Sequence, residues 1–472
     1  MDLKVEDILN CTNGKLIIGN KEKICKNYCR DSRIIKDGDT YVGIKGENFD
    51  GALFWEEAFE KGADTVIINK TNIEDKRLKK YENKCMIQVE DTVIALGQMA
   101  AFKRYLYGNN LKVIGVTGSV GKTSTKDIIS SVISEKYKTL KTEGNNNNHI
   151  GLPLTILRLK DEEVAVIEMG MNHFGEISYL SKIAKPDIAV ITNIGTSHIG
   201  NLGSRENILQ AKLEILDGME NKQVVINNDN DLLNKWNLEK NENIKTYTYG
   251  INNKSDVNAK EIKLYENSSE FICENKNEKI KINVPVGGEH FILNSICAFT
   301  VGKLLNLSDK EMINGINNFK LTAKRMEIIK LKNNITLIND SYNASYESMK
   351  AGISSLKNMS GKRKIAVLGD MFELGDFSEK LHRDVGKEIY INNIEKLFLV
   401  GEYAKFIGIE AEKNGLKKED ILYFNNKEEV LNNLKQNLQE GDTILVKASN
   451  GMKLFEVAEK LAQEFSADNK GD

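Results

Sequence analysis

Short apolar runs, separated by stretches with helical spacing, divide the chain into alternating predicted strands and helices. Near the N-terminus, "GDTYVGIKG" and "ADTVIINK" predict strands, and "ALFWEEAFEKG" predicts a helix between them. This helix is expected to end at Lys61-Gly62, because a basic last turn followed by glycine is typical of helix C-termini. A second helix is predicted at "TVIALGQMAAFKRYLYG", and the polar "GNN" at 108–110 is expected to be a linker.

The alternation continues beyond this linker. The runs "LKVIGVTG", "EVAVIEMG", "DIAVITNIG" and "KQVVINND" are apolar along their length, which is typical of strands covered on both faces of a mostly parallel sheet. The polar tract 228–283 interrupts this rhythm and predicts an antiparallel excursion at the surface, to which no chemistry is assigned.

Four further strands are predicted near the C-terminus, at "ITLIND", "KIAVLGD", "KLFLVG" and "DTILVKAS", each followed by a helical pattern. The loops after such strands usually face a ligand-binding crevice. We therefore predict an α/β protein of three α/β domains, with a central P-loop-type, mostly parallel sheet and a Rossmann-like C-terminal domain. The predicted domains are residues 1–108, 109–320 and 321–472.

The length, net charge and cysteine spacing of the chain limit the kinds of molecule that it is expected to bind. A chain of 472 residues exceeds what one hydrophobic core usually organises, and its net charge of −2 lacks the basic excess of a nucleic-acid-binding protein. The N-terminus has no pattern of a secretion signal, no apolar run is long enough to span a membrane, and the six cysteines show no zinc spacing. We expect a cytoplasmic monomer that binds small molecules, with no nucleic acid and no membrane insertion.

The stretch "KVIGVTGSVGKTSTK" (112–126) resembles a phosphate-binding loop, although Val116 stands where the pattern G-x-x-x-x-G-K-[ST] requires glycine. A predicted strand precedes it and a helical run follows. Lys122 would reach the β- and γ-phosphates, and the hydroxyl of Thr123 would hold Mg²⁺. An ordinary glycine-rich turn is the disfavoured alternative. The expected nucleotide contacts are Gly118, Ser119, Gly121, Lys122, Thr123 and Ser124.

Two other classes of nucleotide-binding protein fit less well. A switch GTPase would carry an N-K-x-D tetrapeptide that reads guanine, but "NKTN" at 69–72 lacks the acid and precedes the loop. A motor ATPase would end a second strand in Asp, whereas "VAVIE" ends in Glu168. Both observations favour an enzyme that acts on a small molecule.

Glu168 and His198 each follow a predicted strand of the central domain, where a carboxylate would suit Mg²⁺. Taken singly, Glu168 is equally compatible with an ordinary surface acid, and His198 is more typical of an ordinary loop histidine, but their common placement favours a metal and phosphate site. The asparagines of "TEGNNNNHIGLPLTIL" (142–157) could contact phosphate or carboxylate, although composition alone favours a plain polar loop. Lys212 in "NILQAKLEIL" has the character of an ordinary helix lysine.

Several of these motifs occur together in one known family. "TGSVGKTSTK", "TEGNNNNHIGLP", "EMGMNHFGEI", "NIGTSHIGNLGS" and "AKLEIL" have the order and spacing of the Mur ligases, which the chain resembles over nearly its whole length. "DSRIIKDGDTYVGIKGENFDG" is similar to the family's uridine-nucleotide domain, and "DSYNASYESMKA", "VLGDMFELG" and "ILVKAS" to its third domain. The family's loop runs T-G-x-x-G-K-T, so Val116 is normal for it.

The resemblance implies roles that the residues alone do not reveal. It implies ATP as the nucleotide and a carbamate on Lys212 that helps to hold Mg²⁺. The implied metal ligands are Thr123, Glu168, His198 and Lys212, and the implied catalytic residues are Lys122, Lys212 and His198. Further nucleotide contacts are implied at Asn294, Arg325 and Asp340, with His290 near the adenine. Substrate contacts are implied at Asp31, Ser32, Arg33, Asn145, Asn147, Asn148, Tyr342, Asn343, Lys447 and Ser449.

The implied activity is ATP-dependent amide formation through an acyl phosphate, in peptidoglycan precursor synthesis. The first predicted domain would bind the UDP-linked substrate, the second would bind ATP, and the third would complete the ligase site. "EMGMNHFGEI" with "GDMFELG" indicates the branch that joins D-alanyl-D-alanine to UDP-N-acetylmuramoyl-tripeptide. The alternatives are a Mur-type or folylpolyglutamate-type ligase with another acceptor, and a nucleotide-driven switch without ligation.

The chain departs from the family in two places. Ala52 stands where His is common in the family, so a contact that this His would make to the UDP-sugar is not expected here. Ser345 and Tyr346 replace part of the commoner Asn-Ala-Asn-Pro, which concerns the loop that they form. Neither departure removes a group expected to hold metal or phosphate.

Overall fold

A computed structural model describes residues 1–46, 49–71, 75–276 and 278–466. Residues 47–48 of the quoted N-terminal motif, Asn72 of "NKTN" and residues 467–472 of the third predicted domain lie outside the described part. The strands form three sheets of six, nine and six strands with helices between them, which confirms the predicted fold class. Among the described residues, no helix combines the length and the apolar content needed to cross a bilayer.

The chain packs as two compact units. The first consists of residues 1–117, 136–190 and 213–223, and the second of residues 118–135, 191–212 and 224–472.

The first sheet has strand order β1-β3-β4-β5-β6-β2, in which β3 to β6 are parallel and the two edge strands pair antiparallel. Its strands are β1 (Leu3–Lys4), β2 (Lys15–Ile18), β3 (Ile24–Cys29), β4 (Asp39–Gly43), β5 (Thr65–Asn69) and β6 (Cys85–Val89). The helices of this region are α1 (Val5–Thr12), α2 (Trp55–Glu60), α3 (Asp75–Leu78) and α4 (Thr92–Tyr107).

The core of this region forms where α2 covers the sheet. The indole of Trp55 meets the rings of Phe59 and Tyr81 edge to face, and all three side chains are buried. α2 ends as predicted: Lys61 is its C-cap residue, and Gly62 follows with a φ of +108°, a backbone conformation that favours glycine. The predicted linker at 108–110 is a single 3-10 turn.

The second sheet has strand order β15-β14-β13-β12-β11-β10-β7-β9-β8. Its strands are β7 (Lys112–Thr117), β8 (Thr139–Lys141), β9 (Val164–Glu168), β10 (Ile188–Ile191), β11 (Gln223–Asn227), β12 (Lys245–Gly250), β13 (Val257–Leu264), β14 (Ser269–Asn275) and β15 (Glu278–Val284). The helices are α5 (Lys122–Ser134), α6 (Gly151–Leu157), α7 (Glu176–Ala184), α8 (Ile199–Leu202), α9 (Arg205–Leu213), α10 (Asp231–Glu239), α11 (Glu289–Leu304) and α12 (Asp309–Asn318).

The polar tract 228–283 is only partly the antiparallel excursion that its sequence predicts. β13, β14 and β15 do pair antiparallel, with two buried residues, Phe271 and Ile282, directly opposite each other. However, β12 pairs parallel with β13, and α10 precedes it. The tract therefore extends the central sheet instead of leaving it, because its alternate residues are buried under α11.

The third sheet has strand order β16-β17-β21-β18-β19-β20 and is parallel except for the edge strand β16. Val367, Ile444 and Val446 belong to its buried core. The strands are β16 (Glu327–Lys330), β17 (Thr336–Asn339), β18 (Arg363–Gly369), β19 (Lys396–Val400), β20 (Ile421–Phe424) and β21 (Asp442–Lys447). The helices are α13 (Tyr346–Asn358), α14 (Ser378–Ile391), α15 (Lys405–Asn414), α16 (Lys427–Asn437) and α17 (Phe455–Glu464).

Candidate active site

The phosphate loop, residues 118–121, depends on glycine for its shape. Gly118 has a φ of +147° and Gly121 a φ of +80°, and a Cβ at Gly118 would overlap Oγ1 of Thr192. α5 begins directly after the loop, at Lys122. The backbone amides of a helix's first turn have no partner within the helix, so this end of α5 favours an anion.

Residues that follow β10 hold the phosphate loop in place. The amides of Ser119 and Val120 donate to the main-chain and side-chain oxygens of Asn193, each at 3.0 Å. The Thr192 hydroxyl donates to the Val120 carbonyl at 2.7 Å. No role was predicted for Thr192 or Asn193, although both lie in "ITNIGTS".

Lys122 and Thr123 lie at the start of α5. The Lys122 ammonium donates to the carbonyl oxygens of Gly118 and Ser119, at 2.8 and 3.3 Å, which holds the cation over the loop. The Thr123 hydroxyl accepts a hydrogen bond of 2.9 Å from Arg325. The Arg325 guanidinium lies 4.1 Å from the centre of the Tyr342 ring, a cation–π contact. The structure thus brings four expected site residues together.

Asn294 lies on α11 beside the same loop. Its side-chain oxygen accepts a hydrogen bond of 3.0 Å from Thr125 and would lie 3.5 Å from a Cβ built at Gly121. The pKa of His290, one turn earlier, is lowered to about 4. Burial is the largest cause; the negative charge of Asp340 opposes it, and the positive charge of Lys447 adds to it. This imidazole is neutral at pH 7.

A second group of expected residues surrounds Lys447, at the end of β21. Its ammonium lies 2.6 Å from Oδ2 of Asp340 and donates to the carbonyl oxygen of Asn343 at 3.0 Å. The Lys447 side chain is 3% exposed and that of Asp340 14% exposed, so this is a buried ion pair. Ser449 accepts a hydrogen bond of 2.8 Å from the amide of Phe372, which indicates a structural contact for its hydroxyl.

Lys212 near the end of α9 is almost completely buried. Burial, and then the nearby charge of Lys122, lower the pKa of its amine well below the usual value. No ion pair of Lys212 is found within the described parts of the chain. A lowered pKa favours the neutral, nucleophilic form of the amine.

His198 caps the start of α8 with a left-handed backbone, at a φ of +64°. Its Nδ1 lies 2.5 Å from Oε2 of Glu373, and the amide of Gly200 donates to the Glu373 carbonyl at 3.0 Å. Nδ1 is buried and makes no hydrogen bond with the described residues, so the contact with Glu373 is a close approach of a carboxylate and not a hydrogen bond. Glu373 lies in the quoted "GDMFELG", but no role was predicted for it.

Glu168 and the asparagine loop belong to the first compact unit. Asn147 donates to Oε1 of Glu168 at 2.8 Å, while Oε2 is buried and accepts no hydrogen bond from the described residues. Asn148 instead caps α6, because its side chain accepts from the amide of Gly151 at 2.9 Å. Asn145 accepts from the amide of Asn147 through its carbonyl, at 2.8 Å. Of the predicted asparagines, Asn147 alone has its side chain on Glu168.

The expected uridine-nucleotide contacts form a turn after β3. Asp31 accepts from the Arg33 amide at 3.0 Å and pairs with its guanidinium at 2.7 Å. These bonds lower the pKa of Asp31 to about 2. Ser32 is buried and donates to Glu57 at 3.4 Å, so Arg33 is the exposed member of the three.

The donor set suits a hard cation. Carboxylate oxygens are preferred by Mg²⁺, and an unpartnered buried oxygen such as Oε2 of Glu168 is what a metal ligand offers. Within the described ranges, no three His, Cys, Asp or Glu side chains cluster as a metal-binding group.

The departures from the family pattern preserve local structure. Ser345 accepts from the amide of Ser348 as the N-cap of α13, and the Tyr346 hydroxyl donates to Glu388 at 3.2 Å. Ala52 is buried, with its amide donating to Asp50 at 2.9 Å.

Comparison with known families matches most of the chain. The Mur ligase middle domain matches residues 116–302, the Mur ligase glutamate ligase domain residues 324–450, and the Mur ligase family catalytic domain residues 26–104.

Individual relatives cover the chain almost completely. The UDP-N-acetylmuramoyl-tripeptide–D-alanyl-D-alanine ligase of Bacillus subtilis is 38% identical, over 97% of this chain and 98% of that protein. A crystal structure of MurF from Acinetobacter baumannii is 30% identical, with a TM-score of 0.86 and coverage of 98% and 99%. MurF ligase from Thermotoga maritima, in complex with ADP, is 29% identical, with a TM-score of 0.79 and coverage of 93% and 98%. The chain belongs to the Mur ligase family.

Proposed function

We propose that this chain joins D-alanyl-D-alanine to UDP-N-acetylmuramoyl-tripeptide at the expense of ATP. The observation that carries the proposal is the similarity to the UDP-N-acetylmuramoyl-tripeptide–D-alanyl-D-alanine ligase of Bacillus subtilis, which is 38% identical over 97% of this chain. The ADP bound to the Thermotoga maritima relative supports ATP as the nucleotide. The product is a peptidoglycan precursor, on which cell shape and division depend.

The reaction has two steps. The terminal carboxylate of the tripeptide attacks the γ-phosphorus of ATP, so that an acyl phosphate forms and ADP leaves. The amine of D-alanyl-D-alanine then attacks the acyl carbon, the C–N bond forms, and phosphate and a proton are released. Phosphoryl transfer depends mainly on positioning and on neutralising charge.

Lys122 and Arg325 supply positive charge at the phosphate loop. The Lys122 ammonium already lies over the loop carbonyls, from which it would turn to the β- and γ-phosphates. Arg325 donates a hydrogen bond to Thr123 at the start of α5 and makes a cation–π contact with Tyr342. We assign nucleotide binding to Gly118, Ser119, Gly121, Lys122, Thr123, Ser124, Asn294, Arg325 and Asp340.

We assign Mg²⁺ binding to Thr123, Glu168, His198 and Lys212. When bound, the ion would neutralise charge on the phosphates. The neutral amine of Lys212 would first add to CO₂, forming an N–C bond and releasing a proton, which converts it into an anionic oxygen ligand. The burial of Lys212 and its lowered pKa support this assignment. Lys122, Lys212 and His198 are the proposed catalytic residues.

The remaining assignments concern substrates and organisation. We assign domains for the UDP-linked substrate, ATP and ligation to residues 1–108, 109–320 and 321–472. A monomer in the cytoplasm is proposed, which the six free cysteines suit because a reducing compartment keeps thiols reduced. The proposed substrate contacts are Asp31, Ser32, Arg33, Asn145, Asn147, Asn148, Tyr342, Asn343, Lys447 and Ser449.

The test is release of ADP from ATP with purified protein and UDP-N-acetylmuramoyl-tripeptide, with and without D-alanyl-D-alanine. The proposal expects sustained ADP release only when both substrates are present, together with an amide product of the expected mass. Dependence on a different amine would assign another acceptor, and ADP release independent of both substrates would overturn the ligase proposal.

A further inference from the structure

The segment 194–197, between β10 and α8, touches the phosphate loop. The amide of Gly195 donates to Oγ of Ser119 at 2.9 Å, and the Ser197 hydroxyl donates to the Ser119 carbonyl at 3.3 Å. Ser119 is 5% exposed, so these bonds are shielded from water. The position of this segment therefore bears directly on the shape of the loop.

Glu347, in the first turn of α13, holds the middle of this segment. Its Oε1 accepts from the Thr196 amide at 2.8 Å, and its Oε2 accepts from the Thr196 hydroxyl at 3.1 Å. The carboxylate lies so close to the backbone that a Cβ built at Gly195 would be 2.5 Å from Cδ of Glu347. The two groups are separated by 151 residues in the sequence.

The start of the segment has a separate anchor. Arg205 and Asn230 donate to the Ile194 carbonyl, at 2.8 and 3.1 Å, and Arg205 pairs with Asp231. This anchor belongs to the central sheet region, whereas Glu347 belongs to the region of the third sheet. Glu347 thus links the loop to a different part of the fold.

α13 follows directly on residues 340–345, which surround the buried ammonium of Lys447. We propose that Glu347 is a positioning residue that couples residues 340–345 to the phosphate loop and thereby sets the affinity for nucleotide. The inference rests on the proposed function only in that the loop binds a nucleotide. Glu347 itself touches neither the loop nor a phosphate; it acts through Thr196, Gly195 and Ser119.

The test measures binding of MgADP to the full-length protein by calorimetry. We expect Glu347→Ala to bind MgADP about tenfold more weakly, because two hydrogen bonds to a charged group are lost. Glu347→Gln retains an acceptor for the Thr196 amide and should stay within about threefold of wild type. Glu379→Gln is the matched control, since Glu379 is likewise in the first turn of its helix, α14, but pairs with Arg383.

A kinetic readout separates positioning from a general loss of fold. Glu347→Ala should raise the KM for ATP about tenfold with little change in the KM for D-alanyl-D-alanine, and it should still unfold in one cooperative thermal transition. Wild-type affinity for MgADP in Glu347→Ala overturns the proposal. If that variant does not fold, wild-type affinity in Thr196→Val, which removes one of the two bonds, overturns it equally. Failure of the wild-type protein to bind MgADP would refute the proposed function instead.

Discussion

Two lysines, Lys212 and Lys447, are buried to nearly the same extent, at 1% and 2% exposure, but their surroundings differ. Lys447 pairs with Asp340 at 2.6 Å and donates to two carbonyl oxygens. Lys212 has the cation Lys122 nearby, and its pKa is lowered well below the usual value. Two lysines that are buried equally can therefore differ in the charge beside them: Lys447 has a carboxylate partner, whereas Lys212 has a second cation nearby.

The difference has a chemical consequence. A paired, buried ammonium is a fixed cation that can organise main-chain carbonyls, as Lys447 does with Asp340 and Asn343. A neutral buried amine is a nucleophile, which is what addition to CO₂ requires. Lys447, at the end of β21, thus suits the binding of main-chain carbonyls, and Lys212, near the end of α9, suits a reaction at its amine.

Removal of Lys122 should have the largest effect. Lys122→Ala takes the cation away from the phosphate loop and from the neighbourhood of Lys212, and we expect turnover to fall at least about a thousandfold. ADP release with both substrates measures this, and Lys136→Ala, at an exposed lysine just after α5, is the control. Substantial ligation by Lys122→Ala would contradict the role of this residue.

Lys212→Ala tests the buried lysine that lies near a second cation. We expect a loss of turnover of roughly a hundredfold or more, because the proposed oxygen ligand for Mg²⁺ would be missing. Added short carboxylic acids should restore part of the activity, since a free carboxylate can supply the missing oxygens. The same acids should not restore Lys447→Met. Full activity of Lys212→Ala without added acid would exclude the carbamate.

Stability distinguishes the two lysines without any substrate. Lys447→Met leaves the Asp340 carboxylate buried without its partner, which should lower the free energy of unfolding by about 3 kcal/mol. Lys212→Met removes no ion pair and should stay within about 1 kcal/mol of wild type. Urea unfolding of both variants measures the difference. Equal destabilisation would show that partner charges do not distinguish the two sites.

The smallest expected effect concerns His290, which is near both Lys447 and Asp340. Its folded-state pKa of about 4 lies below the ordinary value of 6.5, so between these values the unfolded chain binds more protons. Stability should therefore fall as the pH is lowered from 7, by roughly 1 kcal/mol at pH 5, because the ring keeps some exposure. His290→Gln should flatten this part of the stability curve. An unchanged slope would contradict the assignment.

The sequence predicted the buried strands better than the edge strands. β4, β9 and β21 are buried at every residue, so their apolar runs were recognisable. β2 and β20 lie at the edges of the first and third sheets and consist mostly of partly buried or exposed residues, and neither was predicted. An edge strand is held largely by main-chain hydrogen bonds to its neighbour, which leave little trace in side-chain pattern.

By itself the sequence determined the three-part α/β organisation and the phosphate loop, because both depend on local patterns: apolar runs, glycines with positive φ and a lysine at the start of a helix. Only the tertiary structure decided that Glu347 holds Thr196, that Glu373 faces His198, and that Lys212 is buried near a second cation, which lowers its pKa. These properties arise from contacts between residues far apart in the chain. Burial and neighbouring charge, which set the state of an ionisable group, exist only after folding.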